Sequence, residues 1–271
     1  MEEKLLNKVV IITGASSGIG MACAFKFSDS GARVVLAARN IEKLKDISAQ
    51  IKLKGGEAHY FKTDVKNIND CKSLIERTVD IYGKIDILIN NAGISMRATF
   101  IDLDLSVIKE IMDTNLGGTV YCTKFALPYL VKEKGTVIGI SSISGLTPLP
   151  GRSVYCASKY AMDGFLNTLR LETLKTGLNV LIVHPWFTQS NIRNLALDKN
   201  CQPQLKTTKN EDKLISATEV ANSIYKATIK RKTDVVLSIK GNFTVLMYKV
   251  FPKITARLIL NQISKEPDSL F

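Results

Sequence analysis

The chain has 271 residues, 45% of them hydrophobic and 23% charged, with 17 Gly and 7 Pro. Those fractions fit a single globular domain over 1–271 with a large core, and they exclude a disordered or fibrous chain. The formal charge is +12, and the excess is concentrated between Tyr225 and Lys265, where nine basic residues meet one acid.

Val9 to Ile12 is an apolar run ending in Thr13-Gly14, the pattern of a buried parallel strand. A helix is expected from about Ile19 to Ser28, closed by Gly31, before a second strand at Arg33 to Ala37. Asn40 can cap the next helix, which runs through Leu44, Ile47 and Ile51 to Gly55-Gly56. Ala58 to Phe61 reads as strand three. Leu74, Ile75, Val79 and Ile81 mark a helix, and Ile85 to Ile89 reads as strand four. Asp104 caps a helix through Val107, Ile108 and Ile111, and another covers Gly118 to Val131. Strand five is Thr136 to Ile140, followed by a long helix from Ser153 to Thr173 and strand six at Asn179 to Val183. A polar, irregular stretch precedes Ser216-Ala217-Thr218-Glu219, which has the form of a capping box and restarts a helix to about Ile229. Asp234 to Ile239 reads as strand seven. This alternation predicts a three-layer, doubly wound α/β Rossmann fold with a predominantly parallel seven-stranded sheet.

The first turn, Thr13-Gly14-Ala15-Ser16-Ser17-Gly18-Ile19-Gly20, joins a strand to a helix. Gly14 can take angles that a β-carbon penalises, Gly18 admits a pyrophosphate, and Gly20 allows tight helix-on-strand contact. The helix amino terminus offers its N–H groups to phosphates. The lysine and hydroxyl of an ATP-binding phosphate loop are missing. Strand two ends in Leu36-Ala37-Ala38-Arg39-Asn40 with no acid to hold a ribose diol. Arg39 can instead pair with a 2′-phosphate, so NADP(H) is expected over NAD(H).

Four motifs in order resemble the classical short-chain dehydrogenase/reductase family over about residues 8 to 240. They are Thr13 through Gly20, Asn90-Asn91-Ala92-Gly93, Ser141-Ser142 and Tyr155-Cys156-Ala157-Ser158-Lys159. The resemblance implies an oxidoreductase that interconverts a carbonyl and a secondary alcohol. Its chemistry has a physical basis: a free phenol, with a pKa near ~10, is a poor acid–base until a cation stabilises its phenolate. Lys159 lies four residues after Tyr155, on the same helical face. Lys159 is therefore expected to lower the Tyr155 pKa and to reach the nicotinamide ribose. The family's serine precedes its tyrosine by thirteen residues, which selects Ser142 over Ser141 to bind the carbonyl oxygen. Asn115 matches the family's helix asparagine, which implies a proton relay through Lys159. Asp64-Val65 resembles the adenine-contacting pair, although Asp64 can equally cap a helix. Asn91, Ala92 and Gly93 are expected beside adenine and its ribose.

The stretch His184-Pro185-Trp186-Phe187-Thr188-Gln189-Ser190 resembles the loop that cradles the nicotinamide carboxamide, with Trp186 where glycine is usual. Pro185 and Ser190 are the implied contacts, with Thr188 as an alternative through its backbone. Residues 186–215 then correspond to the family's substrate cover. The basic Arg193, Lys199, Lys206, Lys209 and Lys213, with Asn191 and Asn194, leave an anionic substrate open. Ile94, Met96, Leu146, Leu149, Trp186, Phe187 and Leu195 are candidate walls for a hydrophobic one.

The five cysteines are widely spaced and odd in number, as expected of a cytoplasmic or other reduced intracellular protein. The amino terminus lacks the basic and then apolar regions of a secretory signal. His59 and His184 form no ligand spacing, so no metal is expected. No nucleic-acid reading module is present. The family resemblance implies a homodimer or homotetramer through the helices at 118–131 and 153–173. The extension 242–271 is basic and amphipathic over 242–263, with Pro252 as a break, and resembles those of reductases related to dehydrogenase/reductase member 7B. Peripheral membrane contact and packing beside the substrate entrance are both open to it. An epimerase or dehydratase on the same cofactor fold, and a non-catalytic NADPH sensor or scaffold, are the competing functions.

Overall fold

The computed structural model describes residues 5–189, 192–205, 214–265 and 269–271. Seven strands form one sheet: β1 (Val9–Thr13), β2 (Arg33–Ala38), β3 (Ala58–Lys62), β4 (Ile87–Asn90), β5 (Thr136–Ile140), β6 (Asn179–His184) and β7 (Asp234–Val236). Their order is β3-β2-β1-β4-β5-β6-β7, and each pairing is parallel. Strand alternation sorts the apolar residues between two layers of helices. Val10, Ile12, Val34 and Leu36 face α1 (Gly18–Ser28), α2 (Ile41–Leu53) and α7 (Ala217–Ile229). Ile11, Val35 and Val137 face the opposite way, toward α3 (Ile68–Tyr82), α5 (Gly118–Lys132) and α6 (Ser153–Glu172). The central strands are buried on both faces, which is why they read as unbroken apolar runs.

The caps expected at Asn40, Asp104 and Ser216 form, and Ser216 and Glu219 complete the capping box. A π-turn at Asp113–Gly117 joins α4 (Leu105–Met112) to α5. Two expectations shift. Strand seven stops at Val236, because the Ser238 side chain accepts from Gly241 N and caps α8 (Ile239–Val250). The amphipathic tail is two helices, because Pro252 sits at the first turn of α9 (Pro252–Ile263), where its missing N–H costs nothing.

The chain order reverses at β1, which lies between β2 and β4. A cleft of about 420 Å³ opens at the carboxyl ends of the strands there.

Candidate active site

One wall of the cleft is backbone. Gly14 and Gly18 both have positive φ, at 64° and 54°. A β-carbon on Gly14 would stand 2.8 Å from Ala92 Cα, and one on Gly20 would fall on the Gly14 carbonyl oxygen. Asn91 locks this turn to β4: its Nδ2 donates to the carbonyls of Thr13 and Gly14, at 2.9 and 3.2 Å. Thr13 Oγ1 in return accepts from Asn91 N and Ala92 N at 3.0 Å each. The Ser17 side chain makes no capping hydrogen bond to α1, so the helix amino terminus faces the cleft uncapped by it. Ser16, Ser17, Gly18 and Ile19 line the cleft, as do Asp64, Val65, Asn91, Ala92 and Gly93. Arg39 and Lys43 border its outer end. A bare cradle, an open helix terminus and two cations without a neighbouring ribose-binding acid at the end of β2 fit a nicotinamide dinucleotide. Asp64 does not cap a helix: its Oδ1 accepts from Lys66 N at 3.1 Å, and Asn67 caps α3. Asn90 turns away and donates to Thr123 Oγ1 at 2.9 Å.

The other wall is side chains. Tyr155 lies in the first turns of α6, buried, and lines the cleft together with Ser142. Burial pushes the phenol above its usual range, while Ser142 and the Arg152 charge pull it down. Lys159 donates to Ile140 O at 2.8 Å, with its ammonium 5.9 Å from the Tyr155 ring centre. Burial lowers Lys159 to about 8, against a raising effect of Asp163. Asn115 lies in the π-turn, fully buried. Its Oδ1 accepts from Ile94 N at 2.8 Å, and its Nδ2 donates to Ile94 O and Ser158 Oγ at 3.0 and 2.9 Å. A β-carbon on Gly93 would be 3.2 Å from Asn115 Oδ1 and 3.6 Å from Lys159 Nζ, so both groups meet at that glycine.

Sequence reasoning missed Arg152. It stands three residues before Tyr155, a helical spacing, and its Nη1 donates to Ser95 Oγ at 2.6 Å and Met96 O at 3.1 Å. Of the expected walls, Ile94, Leu149, Trp186, Phe187 and Leu195 line the cleft, with Pro185 and Thr188. Met96 does not: it is fully buried with Val107, Ile111 and Val154. Leu146 is also absent from the lining. Trp186 avoids the left-handed region, so its site does not require glycine. It stacks edge-on with Phe187, ring centres 5.2 Å apart. Thr188 Oγ1 donates to Trp186 O at 2.8 Å, and Thr188 O accepts from Arg193 Nη1 at 2.7 Å. Ser190, Asn191, Lys206, Lys209 and Lys213 lie outside the described residues.

The described part of 186–215 is tied across the mouth. Leu197 N donates to Ser95 O and Arg97 N donates to Leu197 O, at 2.9 Å each, and Gln204 Nε2 reaches Arg97 O at 2.7 Å. The tail docks beside it. A β-carbon on Gly241 of α8 would be 3.2 Å from the Trp186 ring, and one on Gly151 would touch Leu270 at 3.0 Å. Val245 and Thr255 are buried, but Ile239, Phe243, Leu246, Phe251, Ile254 and Leu258 are exposed. No helix among the described residues is long and apolar enough to cross a membrane.

Comparison with known proteins agrees with this architecture. The family described as short chain dehydrogenase matches residues 8–200. Dehydrogenase/reductase SDR family member 7B of Mus musculus is 33% identical, over 98% of this chain and 84% of its own. The 11-beta-hydroxysteroid dehydrogenase-like 4A protein of Arabidopsis thaliana is 37% identical, over 86% of this chain and 77% of its own. A short chain dehydrogenase/reductase from Burkholderia phymatum, solved in complex with NAD, superposes with a TM-score of 0.82 at 21% identity, covering 93% of this chain and 96% of that one. With its family match spanning most of the chain and its motifs gathered in one cleft, the chain belongs to the short-chain dehydrogenase/reductase family and is one of that family's oxidoreductases.

Proposed function

We propose that the protein is an NADP(H)-dependent oxidoreductase interconverting a fairly hydrophobic ketone and its secondary alcohol. The observation that carries this reading is the convergence of Ser142, Tyr155 and Lys159 on one cleft, opposite the glycine-rich turn. When bound, the cofactor's nicotinamide gives or takes the hydride. Gly14, Ser16, Ser17, Gly18, Ile19 and Gly20 form the turn that holds its pyrophosphate. Arg39, with Lys43, takes the 2′-phosphate; Asp64, Val65, Asn91, Ala92 and Gly93 border the adenosine. Pro185, Thr188 and Ser190 take the carboxamide end.

In the reducing direction the Ser142 hydroxyl donates to the substrate carbonyl oxygen, and Tyr155 gives that oxygen its proton. The Lys159 ammonium steadies the phenolate left behind and reaches the ribose hydroxyls. Asn115 holds the Ile94 backbone and a water linked to Lys159, through which the replacement proton arrives from solvent. Ile94, Leu149, Phe187 and Leu195 favour apolar substrate surface, in keeping with the hydroxysteroid in the plant relatives' name. A homodimer or homotetramer through α5 and α6 is part of this reading. So is peripheral contact of α8 and α9 with an anionic membrane. Their exposed apolar residues are interleaved with Lys240, Lys249, Lys253 and Arg257, without an acid in either helix.

The test is a panel of ketones and aldehydes supplied with NADPH or NADH, followed by nicotinamide absorbance. Oxidation of NADPH by apolar ketones, and weaker use of NADH, is the expected result. Tight NADPH binding with no turnover across the panel would instead favour a cofactor sensor.

A further inference from the structure

Helix α6 carries one more ionisable group behind the catalytic face. Asp163 lies four residues past Lys159 and is buried, and neither of its carboxylate oxygens has a hydrogen-bond partner among the described residues. Its Oδ2 is 3.7 Å from Nδ1 of His184, the last residue of β6. The same nitrogen is 3.3 Å from the Ser142 carbonyl oxygen. Gly145 keeps this corner open: its β-carbon would stand 2.5 Å from Asp163 Oδ2 and 2.7 Å from Ser141 Oγ. On β7, Asp234 Oδ1 is 3.7 Å from His184 Nε2, and Asp234 Oδ2 pairs with Arg170 at 3.0 Å. Tyr160 of α6, which also feels Tyr248 of α8, completes the titratable surroundings.

An ionised carboxylate without a hydrogen-bond partner is costly to bury unless opposite charge compensates it. The compensation runs in both directions here. Burial raises Asp163 to about 6, His184, Ser141 and Lys159 act to lower it, and Asp234 raises it. Asp163 in turn raises Lys159 against the burial that brings it to about 8. Between those two values the carboxylate is ionised and the ammonium protonated.

We propose that Asp163 and His184 are positioning residues: Asp163 keeps Lys159 charged, and His184 links that carboxylate to the backbone of Ser142. This rests on the Ser142–Tyr155–Lys159 assignment above. Above pH 6 the Asp163 charge opposes loss of the Lys159 proton. Removing it must let Lys159 deprotonate at lower pH, so the alkaline limb of carbonyl reduction must move down.

The experiment is the pH profile of kcat for NADPH-dependent ketone reduction in the wild type, Asp163→Asn, His184→Asn and Tyr155→Phe. Asp163→Asn should move the alkaline limb down by about one pH unit. His184→Asn should leave the limb in place, because Asp163 is already ionised there, and should raise KM for the ketone through the backbone of Ser142. NADPH titrations show that each variant retains the cofactor site. A uniform loss of kcat with the limb unmoved in Asp163→Asn, or an unchanged KM in His184→Asn, is what a purely structural role gives, and it overturns the proposal. If Asp163→Asn fails to fold, Asp163→Ser replaces it, and an unmoved limb in that variant decides against the proposal. Retained turnover in Tyr155→Phe would instead overturn the underlying assignment.

Discussion

The two walls of the cleft are built in opposite ways. The dinucleotide wall works by what is missing: Gly14 and Gly20 leave room for Ala92 and for the turn's own carbonyl, and Asn91 stitches the gap closed. The substrate wall works by what projects: Tyr155, Arg152, Phe187 and Leu195 arrive from a helix start and an irregular segment held to residues 95–97. The first wall therefore fails when an atom is added and the second when one is removed. The turn that faces the cofactor is shaped by backbone, while the opposite wall is made of side chains, several of them on loops, where they can change without disturbing the sheet.

Substitutions separate the walls. Gly20→Ala places a methyl on the Gly14 carbonyl. It should cost about 1–3 kcal/mol and weaken NADPH by roughly ten- to hundredfold in fluorescence titration, while thermal melting reports the stability loss. Unchanged affinity would show that the turn can yield. Arg39→Ala should weaken NADPH about tenfold and leave NADH alone, because only NADPH has a 2′-phosphate to lose; equal losses for both would remove Arg39 from the cofactor site. On the other wall, Leu195 is half-exposed and borders the cleft. Leu195→Ala should raise KM for apolar ketones about three- to tenfold without altering NADPH affinity, and a change confined to the cofactor would place Leu195 on the wrong wall. The smallest effect concerns α8 and α9. Reversing Lys249, Lys253 and Arg257 to Glu should abolish cosedimentation with anionic vesicles at low salt, with turnover of a soluble ketone unchanged. Wild-type binding to neutral vesicles as strong as to anionic ones would defeat the electrostatic contact.

The same contrast explains what could be read from sequence. The strands are legible because burial on both faces makes each an unbroken apolar run, and the first turn because its glycines, strand and helix occur together. Strand seven was harder: Val235 to Leu237 is apolar, but the Ser238 cap that ends it acts from outside the run. Arg152 was invisible because its role depends on Ser95, 57 residues away in sequence. Trp186 departs from the family's glycine, yet its backbone is ordinary, and only coordinates could distinguish a tolerated side chain from a strained one. Met96 has the composition of a pocket wall and the packing of a core residue.

The central claim is that Tyr155 moves the proton while the glycine wall holds the cofactor, and one pair of measurements on Tyr155→Phe tests it directly. NADPH affinity by titration and ketone reduction by nicotinamide absorbance are taken on the same preparation. The account predicts affinity within about twofold of wild type and kcat lower by about 10²–10⁴-fold. Turnover near the wild-type rate with affinity intact would contradict it.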